Sequence, residues 1–230
     1  HQNKLVGFIG TISHVPDIGG VLWGAGARDA YEEGLLIPPT KLYAEGVQNE
    51  TLISLIENNV RAPMQTIGDI RAQVAANDQG RKGLISLMSE VGLDTIEILA
   101  EQIIGASEKA MRDAITAAPD GTYKYTYGAD GDGLDEPVTI ECSITIAGDE
   151  ICVDYEGTSD AHTLGINAVL NYTYAYTAYP IKCTFSPDVP NNDGAFKPIT
   201  VKAPRGSLLN ATGYVPVGAR NMTGNMLHAT

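Results

Sequence analysis

The amino-acid sequence predicts a mixed α and β fold (α+β), with a helical first half and a β-rich second half. Two observations lead to this prediction. From residue 50 to about residue 117, apolar residues recur at the i, i+3, i+4 spacing of amphipathic helices. After the turn signal Pro119-Asp120-Gly121, apolar and polar residues alternate, which is typical of half-buried strands. We therefore predict two regions, one over residues 1–120 and the other over residues 121–230.

The first region is expected to begin with a strand and a site loop. Residues 4–13 form a short, partly β-branched apolar run, so we predict a strand there followed by a loop. Residues 17–30 are rich in glycine, which lets the backbone adopt positive φ or approach a ligand closely. A flexible surface connection is the alternative interpretation of the same composition.

Helices are expected to fill the rest of the first region. The pattern predicts one helix over residues 52–60 that ends before Pro63, and a second that starts near Met64. A third element is predicted over residues 84–92, where the last residue is a glycine suited to a C-cap. Asp94 then has the spacing of an N-cap for a final helix.

Strands are expected to dominate the second region. Residues 138–146 and 151–155 alternate and are separated by a Gly-Asp pair, which predicts a hairpin with one buried face. A preceding strand is indicated over residues 123–127, and a last short one over 199–201. The period over residues 161–179 does not separate helix from strand, and it leaves open whether four tyrosines there line an aromatic pocket or pack in the core (Tyr172, Tyr174, Tyr176 and Tyr179).

Composition excludes several functional classes. With 15 basic against 28 acidic residues and a net charge of −13, the chain is not expected to bind nucleic acid. No run approaches the ~20 apolar residues of a membrane span, so no membrane partner is expected. The three cysteines, Cys142, Cys152 and Cys183, have no CxxC spacing, which favours a reducing compartment and a cytoplasmic location.

The first candidate for chemistry is His14, at the end of the predicted strand. The imidazole of His14 and the carboxylate of Asp17, three residues later, are suitable ligands for zinc, manganese or iron. Two protein ligands are too few for a metal site, which usually needs three. An ordinary hydrogen-bonded loop histidine is the alternative. Asp29, Glu32 and Glu33 are nearby carboxylates, for each of which a solvated loop position is the simpler interpretation.

The remaining polar motifs have structural interpretations. His162 is expected to be an exposed loop histidine, and residues 188–194 a turn whose side chains bond their own backbone. Asp130–Asp135 resembles a calcium loop loosely, and an acidic turn is the better interpretation. The sequence has no phosphate-binding loop, so we do not expect this chain alone to bind ATP. It also has no GxSxG nucleophile motif.

Read in order, several strings of the sequence resemble the hydantoinase B family. That family includes the metal-bearing subunits of acetone and acetophenone carboxylases, the B-type subunit of N-methylhydantoinase and the C-terminal half of 5-oxoprolinase. The matching strings are His14-Val15-Pro16-Asp17-Ile18-Gly19-Gly20, Tyr31–Pro39 (YEEGLLIPP), Asn59-Val60-Arg61, Gly68–Gln73 (GDIRAQ), Val153–Ser159 (VDYEGTS), Gly165-Ile166-Asn167, Pro190–Gly194 (PNNDG) and Pro204–Ser207 (PRGS).

The resemblance implies a metal site of which His14 is one ligand. In carboxylases of this family an upstream His-x-x-Asp pair supplies the other ligands to a divalent metal, here zinc or manganese. That pair would precede His1, and the abrupt start of the sequence leads us to expect a fragment of a longer subunit. Glu33, beside the glycine-rich loop, is the candidate catalytic carboxylate.

The resemblance also implies an ATP-dependent hetero-oligomer in which a hydantoinase A-type partner binds ATP. The expected activity is carboxylation of a small ketone, with the string Trp23–Arg28 favouring the acetophenone or acetone type. An alternative is an ATP-dependent cyclic-amide hydrolase of the N-methylhydantoinase or 5-oxoprolinase type. A non-catalytic structural subunit of such a complex is the third possibility.

Overall fold

The structure, a computed structural model, describes residues 1–129 and 137–228. Its elements are, in chain order, β1 (Tyr43–Ala44), β2 (Val47–Gln48), α1 (Glu50–Asn59), α2 (Pro63–Glu90), α3 (Glu97–Thr116), β3 (Gly121–Ala129), β4 (Val138–Ala147), β5 (Glu150–Asp154), α4 (Leu170–Phe185), α5 (Asp193–Phe196), β6 (Ile199–Lys202) and α6 (Arg220–Leu227). This confirms the predicted mixed α and β fold class, although the second half also contains α4, α5 and α6. The acidic turn predicted at 130–135 lies outside the described residues.

The chain divides into two compact units. The first comprises His1–Leu22 and Glu33–Glu101, and the second comprises Trp23–Glu32 and the described residues from Gln102 onward. Within the described parts of the chain, no helix combines the length and the apolar character needed to cross a bilayer. The described cysteines are all free thiols.

Helices α1 and α2 build the first unit. Asn49 caps α1, because its side chain accepts a hydrogen bond from the backbone N–H of Leu52 at 3.0 Å. Helix α1 ends where predicted, and Pro63 opens α2 at a position where a missing N–H costs nothing. The small core of this unit is aliphatic and consists of Ile53, Ile56 and Ile67 with Leu35, Leu42, Leu52, Val60 and Ile70 around them.

The prediction of a strand over residues 4–13 is wrong. Among the described residues this segment pairs with no strand, and it lies along α2 instead. Ile9 packs against Gly80, and the hydroxyl of Thr11 donates to the side chain of Asn77. The apolar run therefore finds its contacts on a helix, while several of its side chains remain exposed.

The two helices predicted on either side of residue 80 are a single helix, α2, of 28 residues. Gly80 and Gly83 interrupt the apolar pattern, but a glycine costs a helix interior only ~1 kcal/mol and does not end it. Gly92 follows the helix with φ 69°, as expected of the predicted C-cap.

The cap predicted for α3 is displaced by one residue. The hydroxyl of Thr95, rather than the carboxylate of Asp94, accepts the backbone N–H of Glu97 at 3.3 Å. Asp94 instead accepts a hydrogen bond from the side chain of Gln2.

The second unit is built on a four-stranded sheet with the order β3-β4-β5-β6. β3 and β4 are antiparallel and pair without interruption from Gly121–Ile146 to Ala129–Val138. β4 and β5 form the predicted hairpin, with φ 62° at Gly148. β6 is parallel to β5, and α4 and α5 lie in the crossover that a parallel neighbour requires.

The core of the second unit joins this sheet to α3, α4 and α6. Its most buried large side chains include Tyr155, Met111, Ile115, Ile140, Ile151, Ile166, Leu208 and Leu209. The hydroxyl of Tyr155 lies 2.7 Å from Oγ1 of Thr177 on α4, so its polar atom is satisfied within the core.

Three of the four tyrosines of α4 make packing contacts. Tyr172 and Tyr176 stack with their ring centroids 4.5 Å apart, and the hydroxyl of Tyr174 donates to the carbonyl of Phe196. Tyr179 is 60% exposed. The undecided segment is therefore helical from Leu170 onward, and these contacts agree with the packing interpretation.

Candidate functional site

The segment around Asp17 folds into a turn that Arg61 holds in place. Oδ1 of Asp17 accepts hydrogen bonds from Nη2 of Arg61 at 2.7 Å and from the backbone N–H of Gly19 at 2.9 Å. Oδ2 accepts from Nε of Arg61 at 3.1 Å and from the backbone N–H of Arg61. Nη2 also donates to the carbonyls of Gly19 and Gly20. One planar guanidinium thus closes the whole turn, which a lysine could not do.

The carboxylate of this ion pair is buried, whereas the side chain of Arg61 is about half exposed. The side chain of Asp17 is 5% exposed, and its carbonyl accepts a hydrogen bond from the fully buried hydroxyl of Thr66 at 3.0 Å. Hydrogen bonds from the side chain and then the backbone of Arg61 hold the pKa of Asp17 well below its usual range, although desolvation opposes them. Asp17 in turn raises the pKa of Arg61. Both groups are therefore charged at neutral pH.

Two glycines allow the chain to pass close to this turn. Gly19 has φ 83°, and a Cβ there would lie 2.7 Å from the carbonyl oxygen of Asn59. Gly34 has φ 133°, and a Cβ there would lie 2.5 Å from the carbonyl oxygen of Ile18. The backbone N–H of Leu35 donates to that same carbonyl at 2.8 Å. The string over residues 14–20 and the string over residues 31–39 can meet here because only glycine permits so close an approach.

His14 lies three residues before the turn and is exposed. It does not leave a buried strand, as the sequence led us to expect, but belongs to the irregular segment along α2. That segment is held on one side by the bond between Thr11 and Asn77, and on the other by the bond between Asp17 and Thr66. The imidazole is thus carried by a backbone that is anchored both before and after it.

The described residues do not by themselves fit a metal ion. They contain no group of three or more His, Cys, Asp or Glu side chains that could hold one. Asp17, the carboxylate nearest to His14 in the sequence, has both oxygens bound by Arg61, so it is a structural partner rather than an available ligand. His14 offers one imidazole, whereas a zinc site normally uses three or four protein ligands.

The nearby carboxylates separate into two groups. Glu33 is half-buried in the first unit, and its neighbour Gly34 places it beside the turn at Ile18. Asp29 and Glu32 belong to the second unit and close a local turn. Oδ1 of Asp29 accepts the backbone N–H groups of Tyr31 and Glu32, and Oε2 of Glu32 accepts that of Arg28. Hydrogen-bonded turn positions thus account for Asp29 and Glu32.

The glycine-rich segment is bonded into the second unit over residues 23–32. The carbonyl of Ala25 accepts the backbone N–H of Gly165 at 3.0 Å, and Ala30 donates to the carbonyl of Tyr214 at 2.8 Å. These bonds show that this part of the segment is a packed element of the unit rather than a flexible connection.

His162 is buried, contrary to the prediction of an exposed loop histidine. It is 8% exposed, and its Nδ1 accepts the backbone N–H of Leu164 at 3.0 Å. The fully buried Asn167 completes the hydrogen-bond network of this turn. Its Oδ1 accepts from the backbone N–H of His162, and its Nδ2 donates to the carbonyls of His162, Leu164 and Pro216. A polar residue in a buried turn satisfies backbone groups here, which a local sequence pattern does not reveal.

The PNNDG string docks the short helix α5 onto α3. Oδ1 of Asn192 accepts the backbone N–H of Gly194 at 3.0 Å, and Nδ2 donates to Oγ of Ser107 at 2.7 Å. A Cβ at Gly194 would lie 1.9 Å from the carbonyl oxygen of Ile104. The structural interpretation of this turn agrees with these contacts.

The whole sequence resembles that of a known protein family. The family described as hydantoinase B/oxoprolinase matches residues 1–229. A protein described as the B-type subunit of a D-/L-hydantoinase, from Pseudomonas sp. (strain NS671), is 34% identical over 246 residues, which cover 100% of this chain and 42% of that protein. The chain therefore spans about two fifths of the length of that relative.

Two solved structures resemble the chain. ATP-dependent caprolactamase from Pseudomonas jessenii has a TM-score of 0.77 at 31% identity, covering 88% of this chain and 36% of its own. The nucleotide-free structure of acetone carboxylase has a TM-score of 0.79 at 22% identity, covering 90% and 30% respectively, and supports the fold alone. The family match extends over nearly the whole chain and agrees with the ordered strings. This chain belongs to the hydantoinase B/oxoprolinase family.

Proposed function

We propose that this chain is part of the catalytic subunit of an ATP-dependent enzyme that hydrolyses a cyclic amide. The observation that supports this most is an identity above 30% to two proteins that are named for hydantoin and caprolactam, both ring amides. Resonance makes an amide carbonyl a poor electrophile, so coupling to ATP is chemically reasonable. In this proposal a hydantoinase A-type subunit binds the ATP, since the sequence of this chain has no phosphate-binding loop.

Two residues of the first unit are assigned roles in this proposal. His14 supplies one ligand to a divalent metal, zinc or manganese, and the other ligands come from residues outside this chain. Glu33 is the site carboxylate that takes up or releases a proton as a general acid–base group. The ion pair of Asp17 and Arg61 fixes the turn beside them and takes no part in the chemistry.

ATP-dependent carboxylation of a ketone is the second candidate. The string Trp23–Arg28 favours it, and the fold similarity to acetone carboxylase is compatible with it. A structural subunit without activity is the third candidate.

A substrate comparison distinguishes these candidates. The intact polypeptide that contains this chain is purified with its A-type subunit, and ADP release is measured with hydantoin, 5-oxoproline or caprolactam, and with acetone or acetophenone plus labelled bicarbonate. We expect a ring amide to stimulate ADP release and to yield an open-chain product. Label fixed only with a ketone would favour the carboxylase, and no stimulation by any substrate would favour the structural subunit. The polypeptide without its partner is expected not to bind ATP.

The role of Glu33 is tested by Glu33→Gln in the same complex. Removal of a general acid–base group typically lowers kcat by roughly 10²–10⁴-fold. Glu57→Gln, an exposed change of the same chemistry on α1, is the control and should leave kcat unchanged. Equal kcat values for the two variants would show that Glu33 is not catalytic.

Metal analysis of the intact complex tests His14. His14→Ala is expected to weaken metal binding by more than the roughly 10–100-fold typical of losing an outer hydrogen-bond partner. His228→Ala, an exposed histidine of the second unit, should retain the full metal content. An unchanged metal content in His14→Ala would remove this residue from the ligand set.

A further inference from the structure

Strand β3 has a free edge that is long, regular and, apart from Lys124, uncharged. It pairs with β4 along its whole length without a bulge, and it contains no proline. Within the described residues its other edge pairs with no strand, and the five consecutive residues 122–126 are exposed. A long regular edge of this kind is a site where another strand adds to a sheet.

The face of β3 that carries its tyrosines is the face that forms the core. Tyr125 is opposite the buried Cys142, and Tyr127 is opposite the buried Ile140. Even so, Tyr123 is 52% exposed and Tyr125 is 50% exposed. The apolar face of the sheet therefore continues out to the open edge.

A groove of about 340 Å³ lies between this face of the sheet and α4, and it reaches Tyr123 of β3. Tyr123 and Ile144 contribute to it from the sheet, and Ile181 and Phe185 contribute from α4. Side chains placed next to the tyrosines of β3 would cover apolar surface that the described part of this chain leaves open.

We propose that the β3 edges of two copies of this chain pair antiparallel about a twofold axis at Tyr125. Tyr125 is the middle residue of Gly121–Ala129, so this register pairs every residue of both strands. It places Tyr125 opposite the partner's Tyr125 and Tyr123 opposite the partner's Tyr127. Cross-strand aromatic pairs are among the favourable contacts in sheets, and the twofold axis gives one Tyr125–Tyr125 pair and two Tyr123–Tyr127 pairs.

The charges on the face of the sheet opposite the tyrosines favour a second copy of this chain as the partner, and they favour this register. Lys124 is the single charged residue of β3, and the hydroxyl of Thr126 donates to the carboxylate of Glu141 on β4 at 2.7 Å. In the proposed register Lys124 faces the partner's Thr126, beside the partner's Glu141. A register centred one residue earlier would place the two lysines opposite each other, which is unfavourable. Each copy thus supplies both the cation and the carboxylate that the other needs.

A charge swap tests the pairing in the intact protein. In Thr126→Lys each new lysine faces the Lys124 of the other copy, and we expect the dimer Kd, measured by sedimentation velocity, to rise at least about tenfold. The double variant Lys124→Glu/Thr126→Lys places opposite charges across the pair and should restore the dimer. Both positions are exposed, and circular dichroism checks that each variant is folded.

A disulfide tests the register directly. Tyr125→Cys is made with Cys142→Ala, because Cys142 is opposite position 125 within the same sheet. Oxidation should link two copies, whereas Thr122→Cys, which faces position 128 in this register, should not be linked. A wild-type particle with a single copy, no effect of Thr126→Lys, no rescue by the double variant, or no link through position 125 would each overturn the proposal. A strand from another part of the polypeptide or from another subunit on this edge would produce those results.

Discussion

The replacement of Gly194 by alanine is predicted to destabilise the second unit strongly. The added Cβ would lie 1.9 Å from the carbonyl oxygen of Ile104, 2.8 Å from its carbonyl carbon and 3.0 Å from the backbone nitrogen of Glu108. All three are backbone atoms of α3, so no side chain can rotate away to make room. Either α5 moves outward or α3 bends.

The structure gives the size of the effect. A carbon–oxygen contact needs roughly 3.3 Å, so α5 has to move by about 1.4 Å. Overpacking costs about 1–3 kcal/mol, and the displacement also strains the 2.7 Å hydrogen bond from Asn192 to Ser107, worth about 1 kcal/mol. We therefore expect the free energy of unfolding to fall by about 3 kcal/mol. For a chain of this size that corresponds to a decrease in Tm of about 6–12 °C.

Gly105→Ala is the matched control. Gly105 follows Ile104 in α3 and is exposed, and a Cβ there would have nothing within 4 Å. The same methyl group at this position should stabilise the helix by about 0.5–1 kcal/mol. Calorimetry of the intact protein measures both variants, and hydrogen exchange of residues 190–202 locates the effect. If both changes shift Tm in the same direction, or if Gly194→Ala costs less than about 1 kcal/mol, the packing argument is wrong.

Three further predictions concern buried contacts. Asn167→Asp removes the N–H donors of three carbonyl groups, so urea denaturation should show a loss of at least about 3 kcal/mol, and a loss under about 1 kcal/mol would contradict this. Because Arg61 lowers the pKa of Asp17, their pair stabilises the fold above the unfolded pKa of about 3.9 and is lost as the pH falls towards the lower native value. Asp17→Asn should therefore flatten the acid limb of the stability–pH profile below about pH 4, and an unchanged limb would refute the role of this pair. Gly224→Ala places a methyl group 2.6 Å from the ring of Tyr176 and should lower stability by about 1–3 kcal/mol, whereas an unchanged Tm would show that the ring moves freely.

Elements with strong local signals could be predicted from the sequence. Helix α1 has a cap, a regular apolar face and a proline after it, and the β4–β5 hairpin combines alternation with a turn. Residues 4–13 and the continuity of α2 could not, because both depend on tertiary contact. An apolar, partly β-branched run can form a strand or an irregular segment packed along a helix. Which of the two forms depends on whether a strand or a helix lies beside it in the fold.

The sequence identifies the strings that contain the ion pair beside the candidate site, but not the pairing itself. Asp17 and Arg61 are separated by 44 positions, and both lie in strings that the sequence identifies. The composition of those strings carries no information on which carboxylate the arginine binds. For the same reason, His162 has the polar neighbours of an exposed loop, and its burial follows from the side chain of Asn167 and the carbonyl of Pro216.

The family strings therefore contain two kinds of residue, and the contacts in the structure identify the first kind. Asp17, Arg61, Asn167 and Gly194 have contacts that bind or approach backbone groups, so the fold itself explains why those residue types are required. Loss of any of them should reduce stability and activity together, and such a loss says nothing about the chemistry. A residue whose replacement lowers activity while the unfolding curve is unchanged belongs to the second kind, and it is by that separation that Glu33 has to be judged.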